Sequence, residues 1–143
     1  MRMKEFGKHG FKTSLFGLGC MRFPQRRTAT GPQVEAGEAI KMIRYAIDHG
    51  VNYLDTGYEY HQGESEVIVG RALRDGYREK TKLATKLPLW RVKTIDDCRR
   101  ILEEQLRRLQ VESIDFYLLH AVNAERWRLV QDLEILAFLE AMV

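Results

Sequence analysis

Four side chains able to hold or move a proton stand where apolar runs of this sequence stop or turn: Asp55 closes "VNYLD", Tyr60 follows in "TGYEYHQ", Lys86 closes "KLATK" and His120 closes "SIDFYLLH". One ionisable residue at the end of a strand is usually a solvated boundary, and one histidine is usually structural. Three successive strand ends of this kind are hard to explain by packing. Their chemistry is complementary. A tyrosine, with an unperturbed pKa of about 10, is a weak acid at neutral pH, and a neighbouring ammonium favours its phenolate. Lys86 supplies that ammonium, and Asp55 within a few ångströms would sustain and aim it. His120 can hydrogen-bond a substrate oxygen and turn it toward the Tyr60 hydroxyl. Such a set protonates an oxygen on which negative charge develops, as in reduction of a carbonyl by an external hydride donor. Lys86 has a rival role as a Schiff-base lysine, since desolvation can activate a lysine at a strand end.

For these groups to meet, the strands must open on one face, and the order of elements provides for that. Strands are expected at Ser14 to Cys20, Val51 to Asp55, Lys82 to Lys86 and Ser113 to His120. Helices are expected between and after them. The first, Gln33 to His49, sets Ile40, Ile43 and Ile47 on one face and stops at Gly50. The second, Gly63 to Gly76, is expected to bury Val67, Ile68, Ala72 and Leu73. The third runs from Thr94, an N-cap followed by Asp96 and Asp97, through Cys98, Leu102, Leu106 and Leu109. The last is expected from Glu125 to the terminus, carrying Trp127, Val130, Leu133, Leu136 and Leu139.

Strands alternating with such helices imply parallel pairing through right-handed crossovers, in a doubly wound sheet or a (βα)8 barrel. The strand ends at 20, 55, 86 and 120 recur every 31 to 35 residues, near the roughly 31 residues per unit of a barrel of about 250. The fold class expected is α/β, the N-terminal half of a (βα)8 TIM barrel, with four βα units in one domain over residues 1–143. "KEFGKHGFK", around Gly7 and Gly10, reads as a β-hairpin ahead of the repeat.

Composition excludes several classes. Lysine and arginine number 23 against 20 acidic residues, a net +3 too small to argue for nucleic acid. Cys20 and Cys98 stand far apart without a CxxC pair or zinc-finger histidines, so they read as reduced thiols and no metal site is expected. "MRMKEFGKHGF" lacks the apolar core of a signal peptide, and no apolar run reaches the roughly 18 residues of a membrane span. A cytoplasmic location, without a membrane partner, is the expectation.

The quoted residues also carry a resemblance. "LFGLGCMRF", "AIDHGVNYLDTGYEYHQGESEVIVGRAL", "KLATKLP" and "LEEQLRRLQVESIDFYLLH" resemble the aldo-keto reductases, NAD(P)-dependent oxidoreductases on the (βα)8 barrel. The resemblance implies Asp55, Tyr60, Lys86 and His120 as the catalytic tetrad, with Tyr60 as general acid. It implies NADP or NAD as cofactor and a small-molecule carbonyl substrate, with Gly19, Cys20, Met21, Arg22 and Asp55 at the nicotinamide end. The leading hairpin would plug the opposite mouth. The opening most resembles a microbial branch whose members often carry a C-terminal ferredoxin-like [4Fe-4S] segment, and this chain has no iron-sulfur cluster ligands of that kind.

The sequence stops in "EILAFLEAMV", within the fourth helix, while the family's strands five to eight supply most contacts to the cofactor's adenosine and phosphates. A half barrel leaves its outer strands as open edges, and self-association through them is one remedy. The alternative function is therefore a truncated, catalytically inactive half-barrel or an association module. Among the other features, "RRILEEQLRRLQ" reads as a solvated face with intrahelical pairs to Glu103 and Glu104. The glycines of "FGLGCMRF" do not form GxGxxG and more simply allow close backbone approach. Cys20 reads as a small buried residue. Trp90 could line a pocket or pack on its own loop.

Overall fold

The structure, a computed structural model, describes every residue except His9, Thr30 and Val143. His9 of the expected leading hairpin and the last position of the expected fourth helix therefore lie outside the described residues.

β1 (Met3–Glu5) and β2 (Lys12–Ser14) form an antiparallel hairpin, as expected. Its Phe6 and Phe11 stack with centroids 5.0 Å apart, and Phe6 continues onto Phe116 at 5.0 Å and Tyr53 at 6.1 Å. These rings close the sheet at the end opposite the ionisable groups, in the place expected of a plug.

Four parallel strands form the central sheet in the order β3 (Leu18–Gly19), β6 (Tyr53–Asp55), β7 (Lys82–Pro88) and β8 (Phe116–His120). The register pairs Gly19 with Asp55, Asp55 with Ala84, and Lys86 with Leu118. Side chains alternate along β7: Leu83, Thr85 and Leu87 are buried against helices, while Lys82 and Lys86 are half-buried on the other, concave face. The order and pairing are those of half a (βα)8 barrel.

Two further strands, β4 (Gln25–Thr28) and β5 (Gly31–Val34), form a hairpin not anticipated from the sequence. It absorbs Gln33, so α1 begins later, spanning Ala36–Asp48. Gly50, at φ 91°, turns the chain in the left-handed region that favours glycine. The expected first strand shrinks to two residues. Ser14 belongs to β2, and its hydroxyl donates to the Phe16 carbonyl at 2.6 Å, turning the chain before Leu18.

α2 (Glu64–Ala72) buries Ile68, Val69 and Ala72, with Leu73 buried just beyond, but Val67 faces out at 39 % exposure. α3 (Ile95–Leu109) is capped as expected: the Thr94 and Lys93 amides donate to Asp97 Oδ2 at 3.1 and 3.0 Å. These bonds, with Arg100 the largest influence, hold the Asp97 carboxyl well below the usual range. Cys98, Ile101, Gln105 and Leu109 form its buried face, whereas Leu102 and Leu106 lie half out.

The expected last helix is two helices, α4 (Ala124–Asp132) and α5 (Ile135–Glu140), because Glu134 adopts φ 52° between them. Val130 and Ile135 are buried, and Trp127 and Leu136 are exposed. Asn123 Oδ1 caps α4 by accepting the Arg126 amide at 2.8 Å. One buried cluster joins α1 and α2 to β6 and β7 through Ile43, Leu54, Val69 and Leu83. Another joins Leu87, Ile101, Val130 and Ile135. Together they anchor the strands whose ends carry the ionisable groups.

Candidate active site

Asp55, Lys86 and His120 occupy the C-terminal ends of β6, β7 and β8, and Tyr60 opens the turn Tyr60–Gly63 that leads into α2. The structure brings all four together. Lys86 Nζ donates to Asp55 Oδ1 at 2.6 Å and to the Thr56 carbonyl at 2.6 Å. The same ammonium lies 4.9 Å from the centre of the Tyr60 ring. His120 meets that ring edge-on, centroids 5.7 Å apart and planes at 82°. With the Lys86 side chain only 15 % exposed, its pairing with Asp55 acts through a medium less screening than water.

Trp90 joins the cluster, its ring 4.9 Å from His120. Of its two readings, the geometry favours a site-lining ring. Arg126 lies over the same ring, 5.4 Å from its centre, and donates to the Ala121 carbonyl at 2.7 Å. Burial lowers the His120 pKa from the ordinary 6.5, and the charge of Lys86 lowers it further, so a neutral imidazole is favoured at pH 7. Its Nδ1 is the one buried side-chain polar atom among the described residues without a hydrogen-bond partner. An orphaned polar atom inside a cluster of ionisable groups is what a ligand-binding site leaves open.

The loop after β3 opens beside this cluster. The Cys20 amide donates to the Asp55 carbonyl at 2.7 Å, and the Cys20 carbonyl accepts from Ser65 Oγ at 2.7 Å. Cys20 is fully buried, and burial pushes its thiol up to about 12, so it packs as a small residue and is no nucleophile. Met21 and Arg22 are exposed next to it.

Several site residues were not legible in the sequence. His61 accepts the Phe23 amide at Nε2, 3.0 Å away, stacks on the Phe23 ring and bonds Gln25 through Nδ1. It thus ties the loop after β3 to the tyrosine turn. Glu59 pairs with Arg91 Nε at 2.7 Å, holding the same turn to the segment after β7. Arg108 was expected on a solvated face with an intrahelical partner; it keeps that pair, with Glu104 at 2.5 Å, but also turns inward to fully buried Glu66, at 3.2 Å. A periodic pattern counts arginine as an outward residue, and Glu66 lies 42 residues away.

The sequence model of the Aldo/keto reductase family matches residues 16–143. The chain belongs to the aldo/keto reductase family. A curated family member, probable aldo-keto reductase 1 of Glycine max, is 32 % identical over 127 residues, which cover 83 % of this chain and 36 % of that protein. The solved thermostable aldo-keto reductase Tm1743, in complex with the inhibitor epalrestat, is 31 % identical with a TM-score of 0.74, covering 87 % of this chain and 44 % of that one. The aldo-keto reductase of Klebsiella pneumoniae, solved with NADP and acetate, is 29 % identical with a TM-score of 0.65, covering 85 % and 43 %. This chain thus spans less than half the length of these aldo-keto reductases. Among the described residues, no helix is long and apolar enough to cross a membrane, and no group of three or more His, Cys, Asp or Glu residues is arranged to hold a metal ion.

Proposed function

We propose that this chain carries the proton-donating site of an NAD(P)H-dependent carbonyl reductase acting on a small aldehyde or ketone. The observation that carries the reading is the placement of Lys86, bonded to Asp55 and set against the Tyr60 ring, with His120 at that ring's edge. A nicotinamide cofactor, when bound, supplies the hydride. Tyr60 then gives its hydroxyl proton to the carbonyl oxygen as negative charge grows there. The Lys86 ammonium, held by Asp55 and the Thr56 carbonyl, stands 4.9 Å from the centre of the ring that takes up the negative charge. Neutral His120 offers a ring N–H to the same oxygen and sets its direction toward Tyr60.

The residues present fit the nicotinamide end of such a cofactor. A side chain built at Gly19 would meet nothing within 4 Å, so open space lies beside the Asp55 strand end. Gly19, Cys20, Met21 and Arg22, with Asp55, would line that end. A cytoplasmic location suits NADPH chemistry and a chain with two free cysteines. Titration of the purified chain with NADPH, followed by cofactor fluorescence, is expected to saturate. Absence of saturable binding would overturn the proposal for these residues.

A second reading rests on the edges of the sheet. Among the described residues β3 and β8 each pair on one side only, and Leu118, on the His120 face of β8, is 40 % exposed. Self-association through these edges would cover it, and sedimentation velocity would then report a dimer; a monomer at high concentration removes this reading.

A further inference from the structure

We infer that Arg108 of α3 is a positioning residue for Tyr60, within a buried frame that also reaches Lys86; the inference rests on Tyr60 being the acid. Arg108 touches the tyrosine-bearing segment on both sides. Two residues before Tyr60, its Nη1 donates to the Tyr58 carbonyl at 3.0 Å, and its guanidinium lies over the Tyr58 ring, 4.3 Å from the centre. Three residues after Tyr60, it packs against Gly63, where a side-chain carbon would stand 3.5 Å from Nη1. Between these holds, His61 and Gln62 sit at φ 52° and 58°, a region side-chain-bearing residues avoid. A turn of that kind keeps its shape only when its surroundings impose it.

The frame extends from Arg108 to the lysine. Glu66, fully buried, accepts from Arg108 Nη1 at 3.2 Å, from Thr85 Oγ1 at 2.8 Å and from Gln105 Nε2 at 2.6 Å. Gln105 Nε2 also reaches the Lys86 carbonyl at 3.2 Å, and its Oε1 accepts from Tyr117 at 2.6 Å. Gln105 and Arg108 lie about one helical turn apart on α3. Tyr60 and Lys86 come from different elements, and both are indexed to that turn. An ion pair serving only to join α2 to α3 would not need the bond to the Tyr58 carbonyl or the contact with Gly63. Charge-assisted bonds in a buried setting give this frame the stiffness positioning requires.

Arg108→Lys keeps the charge beside Glu66 but cannot serve the Tyr58 carbonyl, Glu66 and Glu104 together while stacking on Tyr58. The test is ¹⁹F NMR of chain labelled with 3-fluorotyrosine, the Tyr60 resonance being assigned by Tyr60→Phe. Arg108→Lys is expected to shift and broaden that resonance. Arg78→Lys, whose guanidinium serves Thr81, Ser113 and Asp115 at the far end of the sheet, should leave it unchanged. In turnover, kcat should fall on the order of 10-fold or more while the NADPH Kd stays within about twofold, since misplacement penalises the chemical step. The resonance reads the positioning even in the absence of turnover, so failure of the proposed reaction and failure of this inference are separate results. If Arg108→Lys does not fold, Glu66→Gln, which keeps the shape and removes the charge, is expected to disturb the same resonance. A wild-type Tyr60 line in Arg108→Lys, or in Glu66→Gln where only that variant folds, overturns the inference.

Discussion

Replacement of Gly70 by alanine tests how closely α2 and α3 are packed, and its sign alone is informative. Gly70 lies within α2, and a carbon built there would collide with the Leu109 carbonyl and stand 2.8 Å from the Arg108 carbonyl oxygen. Both are backbone atoms, so no side-chain rotation relieves the contact. Ordinary contacts of about 3.5 Å require the helices to separate by about 1 Å. Overpacking of this kind costs about 3 kcal/mol. Alanine in place of glycine inside a helix returns about 1 kcal/mol. The net expectation is a loss of about 2 kcal/mol, which for a domain of this size lowers the melting temperature by about 4–8 °C. Thermal unfolding followed by circular dichroism measures it. An unchanged or raised melting temperature would refute the packing argument, because in a looser interface the alanine should stabilise.

Other substitutions and conditions give independent checks. Asp115 accepts from the Leu83 amide, Lys82 and Arg78 at 2.9, 2.8 and 2.7 Å; burial alone would raise its carboxyl, but these partners outweigh it and hold it low. Asp115→Asn is expected to cost about 1–3 kcal/mol, read from the urea midpoint, and the stabilisation in the native chain is present above the ordinary carboxylate pKa and lost as pH falls below it. Burial, the leading cause in both cases, lowers His61 and His120 below 6.5, so the unfolded chain binds more protons just under that pH; stability should fall as pH drops through 6.5, and His61→Gln should flatten the slope. Burial pushes Cys20 up to about 12 and Cys98 up to about 11, so a disulfide reagent at pH 8 should label them at the rate of unfolding, and rapid native labelling would contradict their burial.

The parts of this architecture legible in the sequence are those set by local periodicity. Alternation along "KLATK" sends Leu83 and Thr85 to one face and Lys86 to the other, and parallel pairing then brings Asp55, Lys86 and His120 to the same end of the sheet. Tyr60 could be placed near them because the turn that carries it starts a few residues past Asp55. The frame behind the site followed no periodic rule. Gln105 and Arg108 occupy positions that pattern reading assigns to solvent, and they turn inward to Glu66, a fully buried carboxylate on which three donors from α3 and β7 converge. The division between α4 and α5 has neither glycine nor proline to announce it, since exposed Glu134 takes the left-handed conformation itself. The β4–β5 hairpin was hidden for a related reason: its polar sequence resembles a loop, while its Gly31 turn and the ladder from Gln25 to Val34 form a strand pair.

The central claim, that Asp55, Tyr60, Lys86 and His120 form one proton-donating set, is tested most directly by the rate of NADPH-dependent reduction of a small aldehyde by this chain and by Tyr60→Phe, with NADPH binding measured in parallel. Loss of one positioned acid corresponds to about 10²–10⁴-fold in rate. A loss of that size with cofactor affinity retained is the predicted result. A Tyr60→Phe chain that reduces the aldehyde as fast as the native one would contradict the account.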